Sequence, residues 1–150
     1  MISADKIKEL REKTNVSVMI CKKALEETGG DMEKAMDFLR AEGAKIADKK
    51  SERRLTAGII DSYIHATGQV GVLVEARSET DFVAKNKDFG SFVHDVAMHI
   101  AALDPQSVEE LLGQQYIKNP SVTIGDYLKE VIQKFGENIE IARFSRYSSN

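Results

Sequence analysis

The feature that most limits what this chain can fold into is a change of hydrophobic period near residue 55. Before it, apolar residues recur every three or four positions. After it, "TAGIIDSYIHATGQVGVLVEAR", residues 56–77, reads as two β-rich runs separated by "ATG". Val70, Val72 and Val74 alternate onto one face, and the two runs predict an antiparallel hairpin. Near the C-terminus "ENIEIARFSRY" alternates again, with Ile139 and Ile141 on one side, and predicts a third strand returning to that hairpin. Helical spacing fills the interval. "KDFGSFVHDVAMHIAAL" places Phe89, Phe92/Val93, Val96 and Ile100 on one face, and "SVEE", residues 107–110, reads as a capping box. "TIGDYLKEVIQKFG" aligns Ile124, Leu128, Val131/Ile132 and Phe135, with Gly136 as its C-cap. A three-stranded antiparallel sheet packed with helices is an α+β domain.

The first forty-odd residues predict three short helices. Ser3 caps the first, with Ile2 and Ile7 placed as a staple and Ile7 and Leu10 on one face. Ser17 is placed to cap the second, where Val18, Cys21 and Leu25 form an apolar stripe ended by Gly29–Gly30. Asp31 restarts the chain, and Ala35, Phe38 and Leu39 face inward until Gly43. The expected organisation is a three-helix bundle over 1–43, a charged segment over 44–55 and an α+β core over 56–150. Residues 44–54, "AKIADKKSERR", read either as a solvated linker or helix extension, or as a basic contact strip for an acidic partner.

Charge gives little support for nucleic-acid binding. Residues 1–54 hold thirteen Lys/Arg against eleven Asp/Glu, and the whole chain is at −3, with no clustered basic face in the pattern. No stretch approaches a membrane span. The opening "MISADKIKELREK" is charged from Asp5 onward, unlike a secretory signal. Cys21 is the single cysteine, which fits a reducing cytosol and excludes an internal disulfide.

Searches for chemistry return little. No phosphate-binding glycine loop or dinucleotide fingerprint is present, so no cofactor is expected. His94 and His99, five apart, do not share a helix face and read as surface histidines rather than metal ligands. Asp61, Glu75, Glu79 and Asp81 lack a nearby companion for acid–base work, and Cys21 on its apolar stripe reads as a small core residue. The chain is not expected to be an enzyme.

The stretch "SETDFVAKN", residues 78–86, is the exception to this plainness. Burying an aromatic removes roughly 150–250 Å² from water, yet Phe82 follows four polar residues and has little apolar company before Phe89. Two readings stand. Thr80 or Asp81 caps a helix and Phe82 or Val83 staples it to the core, or Phe82 is a probe that another protein buries.

"LREKTNVSVMICKKALEETGGDMEKAMDFLR" followed by "SETDFVAKN", and ending in "GENIEIARF", resembles the elongation factor Ts family over nearly the whole chain. The resemblance implies a nucleotide exchange factor for elongation factor Tu, acting in the cytoplasm or in an organelle's matrix or stroma. It implies that the N-terminal bundle is like a ubiquitin-associated domain and docks on the partner's GTPase domain through Arg11, Val18, Met19 and Lys22. Asp81 and Phe82, flanked by Thr80 and Val83, match the family's wedge between two partner helices, which disturbs the Mg²⁺ site and the phosphate loop. Phe135 and Gly136 match a second contact near that loop.

The chain departs from the family pattern in places. Ile20 stands where an acidic residue is usual, and Arg77-Ser78 replaces the more usual Asn-Cys. The passage from "AALDPQSVEELLGQQ" to "YIKNPSVTIGDYL" leaves little room for a second core subdomain or a long helical hairpin. A short form of this kind is expected to cover its sheet by homodimerisation. Three rivals are a ubiquitin-like-binding adaptor, for which "TNVS" is the wrong loop, a small hydrolase, and a relative that binds elongation factor Tu without exchanging efficiently.

Overall fold

The computed structural model describes residues 2–14, 16–50 and 53–149, with the side chains of 44–50 outside the described set. Helices α1 (Ala4–Thr14), α2 (Val18–Glu27) and α3 (Met32–Lys50) form the N-terminal bundle. Their starts follow local hydrogen-bonding chemistry. The Lys6 N–H donates to Ser3 Oγ, the Ile20 N–H to Ser17 Oγ, and the Lys34 N–H to Asp31 Oδ1, so each side chain satisfies a donor that the first helical turn leaves free. Gly29 and Gly30 take positive φ, and the Gly30 N–H reaches back to the Leu25 carbonyl at 2.8 Å. Leu10, Cys21, Ala24, Leu25, Ala35 and Leu39 make the core of this bundle.

The helix predicted to face inward as far as Gly43 continues without a break to Lys50. The stretch 44–50 is therefore backbone helix. A basic contact strip there would depend on side chains that lie outside the described residues.

Strands β1 (Ala57–Ile64) and β2 (Val70–Ser78) form the hairpin, and β5 (Ile139–Ser148) pairs antiparallel with β2, giving the order β1-β2-β5. Val72, Val74, Ala76, Ile139 and Ile141 are buried on the inner face. Against them lies α5 (Lys87–Leu103), which buries Phe89, Phe92, Val93, Val96 and Ile100. The remaining helices are α4 (Asp81–Ala84), α6 (Val108–Gly113) and α7 (Ile124–Phe135). A two-stranded ribbon, β3 (Gln115–Tyr116) with β4 (Asn119–Thr123), follows α6 and was not foreseen from the sequence.

Two sequence expectations change. His99 is fully buried rather than on the surface. Its Nε2 lies 3.0 Å from Gln114 Oε1, and its Nδ1 accepts the Ile117 N–H at 3.2 Å. The unforeseen ribbon covers it, which turns a helix-surface position into a core one. "SVEE" forms half a box: Ser107 Oγ accepts the Glu110 N–H, but the Glu110 carboxylate takes the Gln106 N–H, one residue before the cap. A complete box stands at α7, where Thr123 and Asp126 exchange bonds of 3.0 Å each.

Bundle and core meet along α3 and α7. Gly43 on α3 faces the Gln133 side chain of α7: a Cβ there would lie 2.9 Å from Oε1, the movable end of that side chain. Beside this contact is a cleft of about 310 Å³ whose walls include Met36, Leu39, Phe92, Tyr127 and Phe135.

Candidate functional site

At the end of β2 the chain turns into α4 within two residues. Thr80 is the N-cap: its Oγ1 accepts the Val83 N–H at 3.3 Å. This choice of cap sets which neighbour points inward. Val83 is 2% exposed and belongs to the main core, whereas Phe82 is 81% exposed. Of the two sequence readings of "ETDF", the cap-and-staple one holds with Val83 as the anchor, while Phe82 stands in water beside the exposed Asp81. Bonds from a second segment hold this turn in place.

That anchoring comes from the turn between α7 and β5. The Glu137 carboxylate accepts the Glu79 and Thr80 N–H groups, both at 3.1 Å, and the Thr80 hydroxyl at 2.7 Å. The Glu79 carboxylate in return accepts the Asn138 N–H, and it lies 3.7 Å from Arg53 Nη1. Thr56 Oγ1 donates to the Glu79 carbonyl at 2.7 Å, and Asn138 Nδ2 to the Arg53 carbonyl at 2.9 Å. Hydrogen bonds to charged acceptors are the stronger kind, worth about 1.5–3 kcal/mol each when well placed.

Phe135 and Gly136 precede Glu137 directly, so the structure brings them to the same corner as Thr80, Asp81 and Phe82. They differ in character from Phe82. Phe135 is partly buried, edge-on to Phe89 at 6.3 Å between ring centroids, with Lys134 Nζ 5.7 Å from its own. Gly136 is exposed and caps α7 at φ 70°, a conformation that costs a residue with a Cβ more.

The bundle residues lie on α1 and α2. Met19 is 82% exposed and Val18 about half exposed. Lys22 is exposed one turn further along α2, and Arg11 is exposed near the end of α1. Cys21, between these positions in sequence, is buried; burial raises its thiol pKa, with Thr14 and Arg11 pulling the other way. It is a core residue.

Sequence reading passed over the pair Glu79 and Glu137, treating Glu79 as one of several scattered acids. The available signal was an acid directly after the α7 C-cap, at the head of "GENIEIARF". Folding also brings His94 Nδ1 to 3.2 Å from Asp61 Oδ2, a pairing invisible at 33 positions' separation. His94 is exposed and Asp61 half-buried. Among the described residues no group of three or more His, Cys, Asp or Glu could hold a metal ion. No helix among them is long and apolar enough to cross a membrane.

Comparison with known proteins gives one consistent result. A family model described as Elongation factor TS matches residues 79–150. Elongation factor Ts of Alkaliphilus metalliredigens is 44% identical, with 97% of this chain and 88% of that protein covered. Elongation factor Ts of Desulfosudis oleivorans is 41% identical, with 98% and 97% covered. That of Carboxydothermus hydrogenoformans is also 41% identical, with 98% and 88% covered. The first alignment runs over 191 positions against a chain of 150 residues, so that relative carries residues with no counterpart here.

Proposed function

Because the chain belongs to the elongation factor Ts family, a family of translation elongation factors, we propose that it binds elongation factor Tu·GDP and promotes release of the nucleotide. Asp81 and Phe82 enter between two helices of the partner's GTPase domain and disturb its Mg²⁺ site and phosphate loop. Arg11, Val18, Met19 and Lys22 dock the bundle, and Phe135 with Gly136 makes the second contact. The observation that carries this reading is the exposure of Phe82 beside a fully anchored Val83.

No covalent chemistry is needed. GDP is held largely through Mg²⁺ and through backbone amides around its phosphates, so loosening either weakens it. The coupling is reciprocal: a factor that weakens GDP is weakened by GDP to the same extent. A thousandfold effect corresponds to about 4 kcal/mol, and burying one phenylalanine contributes about 1.5–3 kcal/mol. Phe82 therefore accounts for a large share, and the other two contacts supply the remainder. The factor accelerates equilibration in both directions and has no preference of its own for GTP.

The test is stopped-flow release of fluorescent GDP from elongation factor Tu, with wild type beside Phe82→Ala. Fast release that collapses in the variant supports the wedge. A complex that forms without acceleration identifies a binding-only relative. Equal acceleration by both proteins removes Phe82 from the mechanism.

A second reading concerns self-association. The face of the sheet turned away from α5 exposes Ile60, Ile64, Leu73 and Tyr147 together. Contiguous apolar surface of this kind marks an interface, and we propose that two copies pair through it. A mass in ultracentrifugation that stays monomeric at every concentration would exclude this.

A further inference from the structure

We infer that Glu79 and Glu137 are positioning residues, a reciprocal clamp that joins the two core contacts into one rigid unit; this rests on the exchange reading above. Glu137 holds the backbone of Glu79 and Thr80, and Glu79 holds the backbone of Asn138. One residue of the pair lies two positions before Asp81, and the other directly follows Gly136. The two contact segments are 58 residues apart in sequence at the clamp, yet neither can shift without breaking bonds held by the other.

Both acids accept their bonds from the partner segment's main chain. An exchange in this form fixes backbone position and is independent of which side chains the segments display. The Thr80 hydroxyl adds a further constraint. It donates to Glu137 while accepting the Val83 N–H, so the carboxylate also orients the cap from which α4 starts. The direction of Phe82 follows from the start of that single turn. Arg53 sits against Glu79 and donates to the Gly136 carbonyl at 3.4 Å, offsetting part of the negative charge. Clamping matters here because a wedge acts by position: displacing a working group by about 1 Å can cost on the order of 100-fold in rate.

The test uses the full chain and fluorescent GDP bound to elongation factor Tu, at saturating factor. Glu137→Ala is expected to slow GDP release by roughly 10- to 100-fold. Glu137→Gln keeps one oxygen for the two backbone donors and is expected to restore most of the rate. In a Phe82→Ala background, Glu137→Ala is expected to cost less than it does alone, since only the Phe135–Gly136 contact is then left for the clamp to hold. In the free protein, amide exchange at Glu79, Thr80 and Asn138 is expected to accelerate in Glu137→Ala, with Val72 and Val74 protected as in wild type.

Release by Glu137→Ala at the wild-type rate, while Phe82→Ala collapses, would overturn the clamp and leave the wedge standing. Full additivity with Phe82→Ala would also overturn it, because Glu137 would then act elsewhere. Equal rates for wild type and Phe82→Ala would remove the wedge and the clamp's role with it. Loss of protection throughout the sheet in both Glu137 variants would reduce the residue to a general stabiliser and overturn the inference.

Discussion

Lowering the pH from 7 to 5.5 should destabilise this protein through one residue, His99. Its ring is fully buried and spans α5, the segment after α6 and the turn of the ribbon. Desolvation lowers its pKa below the ordinary 6.5, against a smaller opposite pull from Gln114. The folded state thus prefers a neutral ring, which donates from Nε2 to Gln114 and accepts at Nδ1 from Ile117. Beyond Gln114, the charged neighbour on the same helix gives a cation little compensation. Asp95, one turn earlier on α5, is already engaged by Lys118 Nζ and Tyr127 Oη, each at 2.9 Å, and the Tyr116 ring lies 6.1 Å away.

Unfolding returns His99 to its ordinary pKa, so below pH 6.5 the unfolded chain takes up the proton first. The contribution is fully present above that value and is lost as the pH falls through it, with a slope of at most about 1.4 kcal/mol per pH unit, until the folded ring also protonates. Glu130 works in the opposite sense, since desolvation in the cleft raises its pKa. The informative quantity is therefore the difference between wild type and His99→Leu, measured by denaturant unfolding from pH 7.5 to 5.5. The variant should start lower by about 1–3 kcal/mol, because the Ile117 N–H loses its acceptor, and should lose the His99 slope. A wild-type curve with no fall below 6.5, or the same slope in both proteins, would refute the reasoning.

Phe82→Ala should leave folding stability unchanged within about 0.5 kcal/mol, whereas Val83→Ala should cost about 1–2.5 kcal/mol in urea unfolding because it empties a core position. Gly58→Ala should cost about 1–3 kcal/mol, read from the same unfolding curves: a Cβ there would stand 2.6 Å from the Ala76 carbonyl oxygen, which is backbone and cannot swing aside. Leu73→Glu should shift any self-association toward monomer in ultracentrifugation, leaving the circular dichroism of the sheet as in wild type.

Legibility from sequence tracked how local the cause was. Ser3, Ser17, Asp31 and Gly136 act within a few residues of themselves, and their roles follow from spacing alone. The inner face of the sheet was equally readable, because Val72, Val74, Ile139 and Ile141 alternate without interruption. "ETDF" was half legible: local chemistry allowed a cap at Thr80 or at Asp81, and the structure places it at Thr80, whose hydroxyl also reaches Glu137. His99 was misread because its cover, the β3–β4 ribbon, has a first strand of two residues, too short to show a period. The Glu79–Glu137 exchange left almost no trace, since nothing in either segment names the other.

The unbroken α3 has a mechanical consequence. A helix rises about 1.5 Å per residue, so its 19 residues form a strut about 28 Å long rather than a string. On a string, the Met19 patch and the Phe82 corner would search for a shared target separately, with the second encounter governed by tether statistics. With α3 packed along α7, their separation is set before any encounter. A target whose docking points match that separation gains both contacts for little more than the entropic cost of one. On the proposed contacts, a target displaced by a few ångströms would gain only one, and selectivity would reside in the ruler as well as in the surfaces it carries.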